Sequence, residues 1–513
     1  MRICLISREY PPDTGWGGIG AYTYQMANAL TDLGHDVEVV SLTGDGSFNN
    51  GNHQIKVTTP TDSRIKVHRA TWEDGLSELE VMSETTPFSH YVLKSSLALW
   101  QTFLERHKQC PFDVAEVPEH LADGIVPATT KAVPLVVKLH TPLSKFHNEK
   151  LHGVVPSFDH QLICMLERIS MLMADEICSP SKDLAQYIAN DLGVAIESIP
   201  IVRNPVNTNQ FSPEGETAAL PKRGPIILFV GRLEERKGIQ YLIEAVPHVV
   251  REYETAHFVV VGADTPHAPG GSALAHCKTI LKQYGCEASV TFIPQVELSK
   301  MPTYYRAADI CVVPSLYDNA PYTCIEAMSC GKPVIGSTSG GTREYIESER
   351  SGLLVEPRNP QAIANAILRL LRNDSERKTF GAQARAYVLA NLSNEAVATR
   401  MLKLYESAIA KHSLREKSKL YFKDQTSLLP DAMELLRAFD QLFYDRFYQH
   451  SWRFRIKHWW RIACKQPGLF KSKLTVKLAR PLARQFPKSQ LPHLVSRLED
   501  SIRLQEKRNA HQL

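Results

Sequence analysis

The amino-acid sequence contains two successive series of short apolar strands and amphipathic helices, and this repetition constrains the fold most. In the first series, the expected strands are at residues 2–7, 35–42 and 135–139, and the helix is at 19–33. In the second, the expected strands are at 225–230, 258–262, 289–293, 308–313 and 333–336, and the helices are at 239–250, 360–372 and 375–392. Repeated strand–helix units predict parallel, doubly wound sheets. We therefore expect two Rossmann-like α/β domains that face a cleft.

A segment rich in proline and polar residues, at 204–224, separates the two series. Because 513 residues exceed a single ordinary core, this segment is interpreted as the connection between two domains. The expected divisions are a first Rossmann-like domain at 1–204, a second at 205–395, a closing helix at 396–412 and a basic, aromatic helical extension at 413–513.

The residues between Val313 and Tyr345 indicate a ligand site. A β-branched strand leads into a loop that carries Asp318, and a short helix then starts near Tyr322 and carries Glu326. Seven residues separate the two acids, so they can reach opposite ends of one ligand at the carboxyl edge of the strands, where open parallel sheets bind ligands. The free N–H groups of the first helical turn suit phosphate. The pattern points to a nucleotide-sugar site.

Glycines at 15, 17, 18 and 20 follow the first strand and open the first helix. They allow the backbone to approach a ligand closely, although such a cluster is equally compatible with a simple tight turn. A dinucleotide fingerprint would also place an acidic residue about 20 positions further on, at the end of the second strand. Glu38 follows too early and lies within that strand, which disfavours NAD.

Two cations lie in the connection after the first strand of the second series. Arg232 and Lys237 are five residues apart, and the planar fork of arginine and the point charge of lysine complement each other on a diphosphate. The residues between them, Glu234, Glu235 and Arg236, are interpreted as a solvated charged turn.

With these motifs the chain resembles the family-4 retaining glycosyltransferases of the GT-B fold, over roughly residues 1 to 410. Two of the motifs are highly specific in combination, namely the Arg232/Lys237 connection and the strand–loop–helix around Glu326. The remaining ones agree with them: Gly17-Gly18-Ile19, His140 after a strand, and Asn204-Pro205-Val206.

The resemblance implies roles for individual residues. The residues at 1–204 would form the acceptor side and those at 205–395 would bind the donor. In the family, the Arg/Lys pair holds the donor diphosphate and the second acid binds the ribose hydroxyls. The first acid, with adjacent backbone amides, binds the donor sugar and its phosphate, and the histidine lies at the reaction centre. The implied catalytic residues are His140, Arg232, Lys237 and Asp318; the implied donor-binding residues are Gly17, Gly18, Arg232, Lys237, Asp318, Tyr322, Thr323 and Glu326.

One position departs from the family pattern, because Asp318 stands where the family has Glu. With an unchanged backbone its carboxylate would sit about 1.5 Å further back. A shifted loop or an unusual donor sugar would compensate for this. His120 is a candidate acceptor contact, but a structural role is the favoured interpretation.

The expected activity is transfer of a hexose from a nucleoside-diphosphate sugar to a hydroxyl of a saccharide or lipid-linked acceptor, with retention of configuration. No cofactor and no metal are expected, because the sequence has no D-x-D pair, and Arg232, Lys237 and helix N-termini would neutralise the leaving diphosphate. Two alternatives remain open: a catalytically weak GT-B binding or scaffold protein, and a sugar-nucleotide epimerase of the same fold.

The C-terminal extension differs in charge from the rest of the chain. Residues 413–513 contain 21 Lys and Arg against 9 Asp and Glu, and residues 446–497 contain no acid. Aromatic and apolar residues at helical spacing (Trp452, Ile456, Trp459 and Ala463) alternate there with cations. This favours either an interfacial helix on an anionic membrane or a helix packed on the catalytic body, and no nucleic acid partner is expected. The ten scattered cysteines and the lack of a signal peptide predict a cytoplasmic protein, with possible peripheral association at the inner membrane face.

Overall fold

The computed structural model describes residues 1–14, 17–43, 56–58, 64–70, 80–150, 156–220, 224–266 and 271–417. The strands of the N-terminal domain are β1 (Arg2–Ile6), β2 (Asp36–Leu42), β3 (Lys56–Thr58), β4 (Lys66–Ala70), β5 (Val114–Pro118), β6 (Leu135–Lys138) and β7 (Glu176–Cys178). Those of the C-terminal domain are β8 (Ile226–Val230), β9 (His257–Val261), β10 (Val290–Ile293), β11 (Ile310–Val313), β12 (Val334–Ser337) and β13 (Gly352–Val355).

The helices described in these ranges connect and cover the strands. They are α1 (Gly18–Asp32), α2 (Glu80–Thr85), α3 (Pro87–Gln109), α4 (Ile125–Thr130), α5 (Leu143–Lys150), α6 (Phe158–Met173), α7 (Lys182–Leu192), α8 (Ile239–Glu252), α9 (Ala273–Tyr284), α10 (Met301–Ala307), α11 (Tyr322–Ser329), α12 (Pro360–Arg372), α13 (Asp374–Asn391) and α14 (Asn394–Lys417). Residues 80–90, which include α2 and the start of α3, belong to a second compact unit, separate from the one that contains both sheets.

The sheet of the N-terminal domain has the strand order β3-β4-β2-β1-β5-β6-β7. Its edge strand β3 runs antiparallel to β4, and the other neighbouring strands are parallel. Strands β5 and β6 are buried along their whole length, because helices cover both faces of a parallel sheet.

The sheet of the C-terminal domain has the order β10-β9-β8-β11-β12-β13 and is parallel throughout. Strand β8 pairs with β9 on one side and with β11 on the other, so the strand order reverses between β8 and β11. Ligands of doubly wound sheets bind outside the carboxyl ends of the strands at such a reversal. The residues that follow β8 and β11 are therefore brought to the same point.

The predicted architecture of two doubly wound domains is confirmed. The ends of the predicted strands and helices lie within two residues of those observed, except that the closing helix predicted at 396–412 extends to Lys417. Strands β3, β4, β5, β7 and β13 were not predicted. The sequence of β4 reads as polar, yet its His68 and Arg69 are buried, and His68 Nε2 lies 2.7 Å from a carboxylate oxygen of Glu38. Strand β5 carries the buried Glu116. Because these buried side chains are polar, the strands lack the apolar pattern from which a buried strand is predicted.

The described part of the predicted interdomain connection, residues 204–220, packs on the C-terminal domain. Phe211 is fully buried in the core of the C-terminal domain, together with residues of α11 and α13. Arg306 and Arg385 donate hydrogen bonds to main-chain carbonyls of this segment, including those of Ser212 and Thr208. Val206 also pairs with Ser393 in an isolated parallel bridge, beside the point where the chain enters α14.

Helix α14 returns to the N-terminal domain. Its buried face, which includes Met401 and Tyr405, packs in the same core cluster as Tyr22 and Met26 of α1. The hydroxyl of Tyr405 donates a hydrogen bond of 2.6 Å to a carboxylate oxygen of Glu116. The two domains are therefore joined by two neighbouring chain crossings, one before Val206 and one after Ser393.

The basic extension beyond residue 417, with Trp452, Ile456, Trp459 and Ala463, lies outside the described residues. Among the helices that are described, none has both the length and the apolar character that a bilayer crossing requires.

Candidate active site

The loops after β8 and β11 form the centre of the candidate site. The backbone N–H of Leu316 donates to the carbonyl of Arg236 at 2.8 Å, which fixes the two loops side by side. Gly238 has a φ of +71°, and a Cβ atom there would lie 2.0 Å from the carbonyl oxygen of Pro314. Only glycine fits this close approach in this conformation.

Lys237 and Asp318 meet across these loops. Lys237 Nζ donates to Asp318 Oδ2 at 2.5 Å, and Arg236 Nη1 lies 3.8 Å from the same oxygen. Burial disfavours the ionised form of Asp318, but the charges of Lys237 and Arg236 outweigh burial and hold the pKa of Asp318 below its usual range. Asp318 is therefore a carboxylate at neutral pH. Although it is one methylene shorter than the Glu of the family pattern, it reaches the ammonium of Lys237.

The interpretation of residues 234–236 as a solvated turn is wrong for two of the three. Glu234 is 9% exposed, and its Oε1 accepts hydrogen bonds from Arg236 at 2.7 Å and from Arg232 at 3.3 Å. Arg236 also donates to the carbonyl of Tyr317 at 3.1 Å. The third residue, Glu235, is exposed as expected. The Arg232 side chain remains 59% exposed, so its guanidinium is accessible to a ligand.

Glu326 is buried in α11, and its Oε2 accepts a 2.8 Å hydrogen bond from the hydroxyl of Tyr305. Burial raises the pKa of Glu326 to about 7, and the hydrogen bond from Tyr305 opposes this shift. Tyr322 and Thr323, in the first turn of the same helix, are half-buried, and Tyr322 packs against the core clusters of both domains. In the part of the chain that the structure describes, Glu326 forms no hydrogen bond or ion pair with Lys237 or Asp318.

His140 follows β6 and faces these loops from the N-terminal domain. Its backbone N–H donates to both carboxylate oxygens of Glu119 at 2.8 Å, and its ring packs edge-on against Tyr22 at 5.0 Å between ring centroids. Burial, reinforced by the charges of Lys138 and His120, holds the pKa of His140 well below its usual range. The imidazole is therefore neutral at physiological pH. His120, as favoured, is structural: its Nδ1 donates to the carbonyl of Thr141 at 2.9 Å.

Gly17 and Gly18 lie at the start of α1. A Cβ atom on Gly17 would lie 2.5 Å from Oε2 of Glu9, whereas one on Gly18 would meet no atom within 4 Å. The same Glu9 oxygen accepts a 3.3 Å hydrogen bond from the N–H of Gly20. Burial raises the pKa of Glu9, and the hydrogen bond from Gly20 and the charge of Arg8 oppose that shift, with a smaller contribution from the charge of Arg232 in the other domain.

The structure brings together most of the predicted residues. Lys237 and Asp318 are in direct contact, and Arg232 joins them through Glu234 and Arg236. His140 reaches the same place through Asn319, which was not predicted. The Asn319 Nδ2 donates to the carbonyl of His140 at 2.6 Å. A polar side chain beside Asp318 was the only sequence signal for this contact, and its partner is 179 residues away in the chain.

A second set of contacts joins the domains away from the paired ions. The Glu344 carboxylate accepts hydrogen bonds of 2.9 Å from the N–H groups of Lys182 and Asp183, at the start of α7. Tyr345 donates from its hydroxyl to the carbonyl of Pro180 at 3.1 Å.

Two family models match the chain. The model described as Glycosyltransferase Family 4 matches residues 16–210, and the model described as Glycosyl transferases group 1 matches residues 214–387. D-inositol 3-phosphate glycosyltransferase of Xylanimonas cellulosilytica is 26% identical over 420 residues, which are 79% of this chain and 95% of the relative.

Solved structures show the same fold. Sucrose-phosphate synthase of Thermosynechococcus elongatus aligns with a TM-score of 0.62 and 24% identity, over 80% of this chain and 100% of that one. Anabaena HepE in complex with UDP-glucose aligns with a TM-score of 0.56 and 17% identity, over 79% of this chain and 100% of that one.

Two Rossmann-like domains with a polar site at the strand reversal have the GT-B fold. The chain belongs to the family-4 glycosyltransferases and is a hexosyltransferase. The alternatives of a scaffold protein and of an epimerase are therefore set aside.

The buried environment of Arg236 yields a test of the site's electrostatics. We expect Arg236→Ala to lower the free energy of unfolding by about 1–3 kcal/mol, because Glu234 and Asp318 lose a charged partner. Urea unfolding of the full chain measures this. Glu235→Ala, at the exposed neighbouring position, is the control and should change stability by less than about 0.5 kcal/mol. Equal effects of the two substitutions would contradict the burial argument.

Proposed function

We propose that the protein transfers a hexose from a nucleoside-diphosphate sugar to a hydroxyl of a saccharide or lipid-linked acceptor, with retention of configuration and without a metal ion. The observation that carries the proposal is the 2.5 Å contact between Lys237 and Asp318 at the strand reversal, with Arg232 accessible beside it. A cation pair beside a fixed carboxylate suits a diphosphate that is linked to a sugar.

The donor is proposed to bind along the carboxyl edge of the C-terminal sheet. Lys237 and Arg232 would hold the diphosphate, and the start of α11, with Tyr322 and Thr323, would present backbone N–H groups to it. Glu326, deeper in the same helix, would accept hydrogen bonds from the ribose hydroxyls. The UDP-glucose complex of HepE, which has the same fold, supports a uridine nucleotide and glucose as the first donor to test.

During transfer, negative charge develops on the leaving diphosphate. Lys237 and Arg232 stabilise that charge, which is the kind of fixed electrostatic stabilisation that usually contributes most to catalysis. Lys237 must then share its charge between Asp318 and the diphosphate, and Arg236 keeps Asp318 ionised while it does so. The neutral His140 can form a hydrogen bond to the sugar without adding positive charge near the anomeric centre.

The acceptor is proposed to enter from the N-terminal domain, on the side of His140. Its hydroxyl would attack the anomeric carbon on the face from which the diphosphate leaves, and the leaving phosphate would take its proton. The anomeric configuration is then retained. No metal is proposed, since the cations of the described site take the role of neutralising the diphosphate. Chelation by EDTA should accordingly leave transfer unchanged.

We expect Lys237→Ala to reduce release of nucleoside diphosphate from the donor by at least about 100-fold, because it removes the cation closest to the leaving group. The assay is run with EDTA, and the anomeric configuration of the product is read by NMR. Lys300→Ala, which removes a 68% exposed lysine from a surface pair, is the control. Wild-type activity in Lys237→Ala, with circular dichroism unchanged, would refute the assignment.

Glu326 predicts a pH dependence of nucleotide binding. With a pKa of about 7, the carboxylate that accepts from the ribose is largely protonated at pH 6 and largely ionised at pH 8. Affinity for UDP should therefore rise by about tenfold between these pH values, because the ionised fraction rises by that factor. Calorimetric titration measures it. In Glu326→Gln, the affinity for UDP should change with pH only through the ionisation of UDP itself. If affinity depends on pH equally in both proteins, Glu326 does not accept hydrogen bonds from the ribose as proposed.

We further propose that the enzyme is cytoplasmic and binds anionic membrane surfaces through residues 446–497. Support comes from the net charge of +12 over 413–513 and the alternation of aromatic and basic residues. The full chain should co-sediment with phosphatidylglycerol vesicles and not with neutral phosphatidylcholine vesicles. Arg453→Glu combined with Lys457→Glu should abolish this binding. Equal binding to both kinds of vesicle would disprove the proposal.

A further inference from the structure

Asn319 connects the two domains next to the paired ions. Its Nδ2 donates two hydrogen bonds of 2.6 Å, one to the main-chain carbonyl of His140 and one to the hydroxyl of Thr141. Its Oδ1 accepts from the hydroxyl of Tyr317. The side chain is 4% exposed. Because both amide hydrogens and the amide oxygen are engaged, the orientation of the amide is fixed.

The segment 317–319, which contains Asp318, is held from both domains. On the N-terminal side, the ammonium of Lys145 lies 4.6 Å from the centre of the Tyr317 ring. On the C-terminal side, the N–H of Gly341 donates to the carbonyl of Asp318 at 2.8 Å. A Cβ atom on Gly340, where φ is +59°, would lie 2.7 Å from that same carbonyl oxygen. The segment therefore cannot follow one domain without straining its contacts to the other.

We propose that Asn319 is a positioning residue that couples the acceptor side to the donor side. The carbonyl and hydroxyl that it binds belong to the segment 140–141, on the side from which the acceptor enters, and the adjacent Asp318 holds Lys237. Movement of one side is thus transmitted to the other through the hydrogen bonds of the Asn319 amide, next to the contact of Lys145 with the Tyr317 ring. The inference rests on the proposed function, since it requires the nucleotide to bind at residues 232–238.

Coupling of this kind has a reciprocal thermodynamic consequence: a nucleotide that binds at Lys237 must also stabilise the segment around His140. Asn319→Ala should leave nucleotide affinity within about twofold of wild type, since Lys237, Arg232 and Glu326 are unchanged. It should lower kcat for donor turnover by at least about tenfold, because Asp318 and His140 are no longer held in register. A residue that only stabilised the fold would lower both together.

Hydrogen–deuterium exchange of the full chain tests the transmission. The probe is whichever of UDP, ADP and GDP raises the melting temperature most. In the wild type, the probe should slow exchange in the peptide 232–238 and also, by about fivefold or more, in the peptide 138–146. In Asn319→Ala the protection of 232–238 should persist and that of 138–146 should be lost. Thr141→Val removes one of the two groups that accept a hydrogen bond from Asn319, so it should lose part of the protection of 138–146.

Tyr345→Phe is the matched control, because it removes another hydrogen bond between the domains without touching the segment 317–319. It should keep the protection of both peptides. Full protection of 138–146 in Asn319→Ala and in Thr141→Val would overturn the coupling and leave the donor site intact. Absence of protection at 232–238 in the wild type would instead overturn the proposed nucleotide site, and the coupling with it. Loss of both protections in Tyr345→Phe would show general loosening of the interface and would equally overturn the role of Asn319.

Discussion

The ion pair between Lys237 and Asp318 is the contact on which the arrangement of the site depends. It joins the loop after β8 to the loop after β11. These loops lie side by side because β8 and β11 are neighbours where the strand order reverses. Gly238 permits the loops to touch, and Arg236 supports both the acid and its loop. Without this pair, the ammonium of Lys237 and the carboxylate of Asp318 would each lose the closest opposite charge at low exposure, which is a costly state in a protein interior.

The electrostatics of the site separate the protonation states of its acids and bases. Asp318 is kept ionised by its cations, Glu326 is brought by burial to a pKa of about 7, and His140 is kept neutral. These three environments arise from different causes: charge neighbours, desolvation, and desolvation with like charge. One cleft thus holds a permanent anion, a group that titrates near neutrality, and an uncharged hydrogen-bonding ring.

Sequence reasoning predicted the C-terminal sheet and the pair of loops well, because strands of Val and Ile, glycine turns and the spacing of Asp318 and Glu326 are local signals. It failed where the decisive partner is distant in the chain. Arg236 looked solvated because its partners Tyr317 and Asp318 are about 80 residues away in the chain, and Glu234 accepts a hydrogen bond from Arg236. Strand β4 lacks an apolar pattern because its buried histidine is paired with Glu38 of another strand. Asn319 gave only the signal of a polar side chain, because the carbonyl of His140 and the hydroxyl of Thr141 that it binds are distant in the chain.

The bridge between Val206 and Ser393 has a mechanical consequence for the molecule. Because the two chain crossings lie side by side and are hydrogen-bonded to each other, they move together rather than independently. Bending the two crossings in the same direction keeps the hydrogen bond between them, whereas twisting one crossing against the other would break it. A rotation of one domain against the other should therefore bend both crossings together at this bridge.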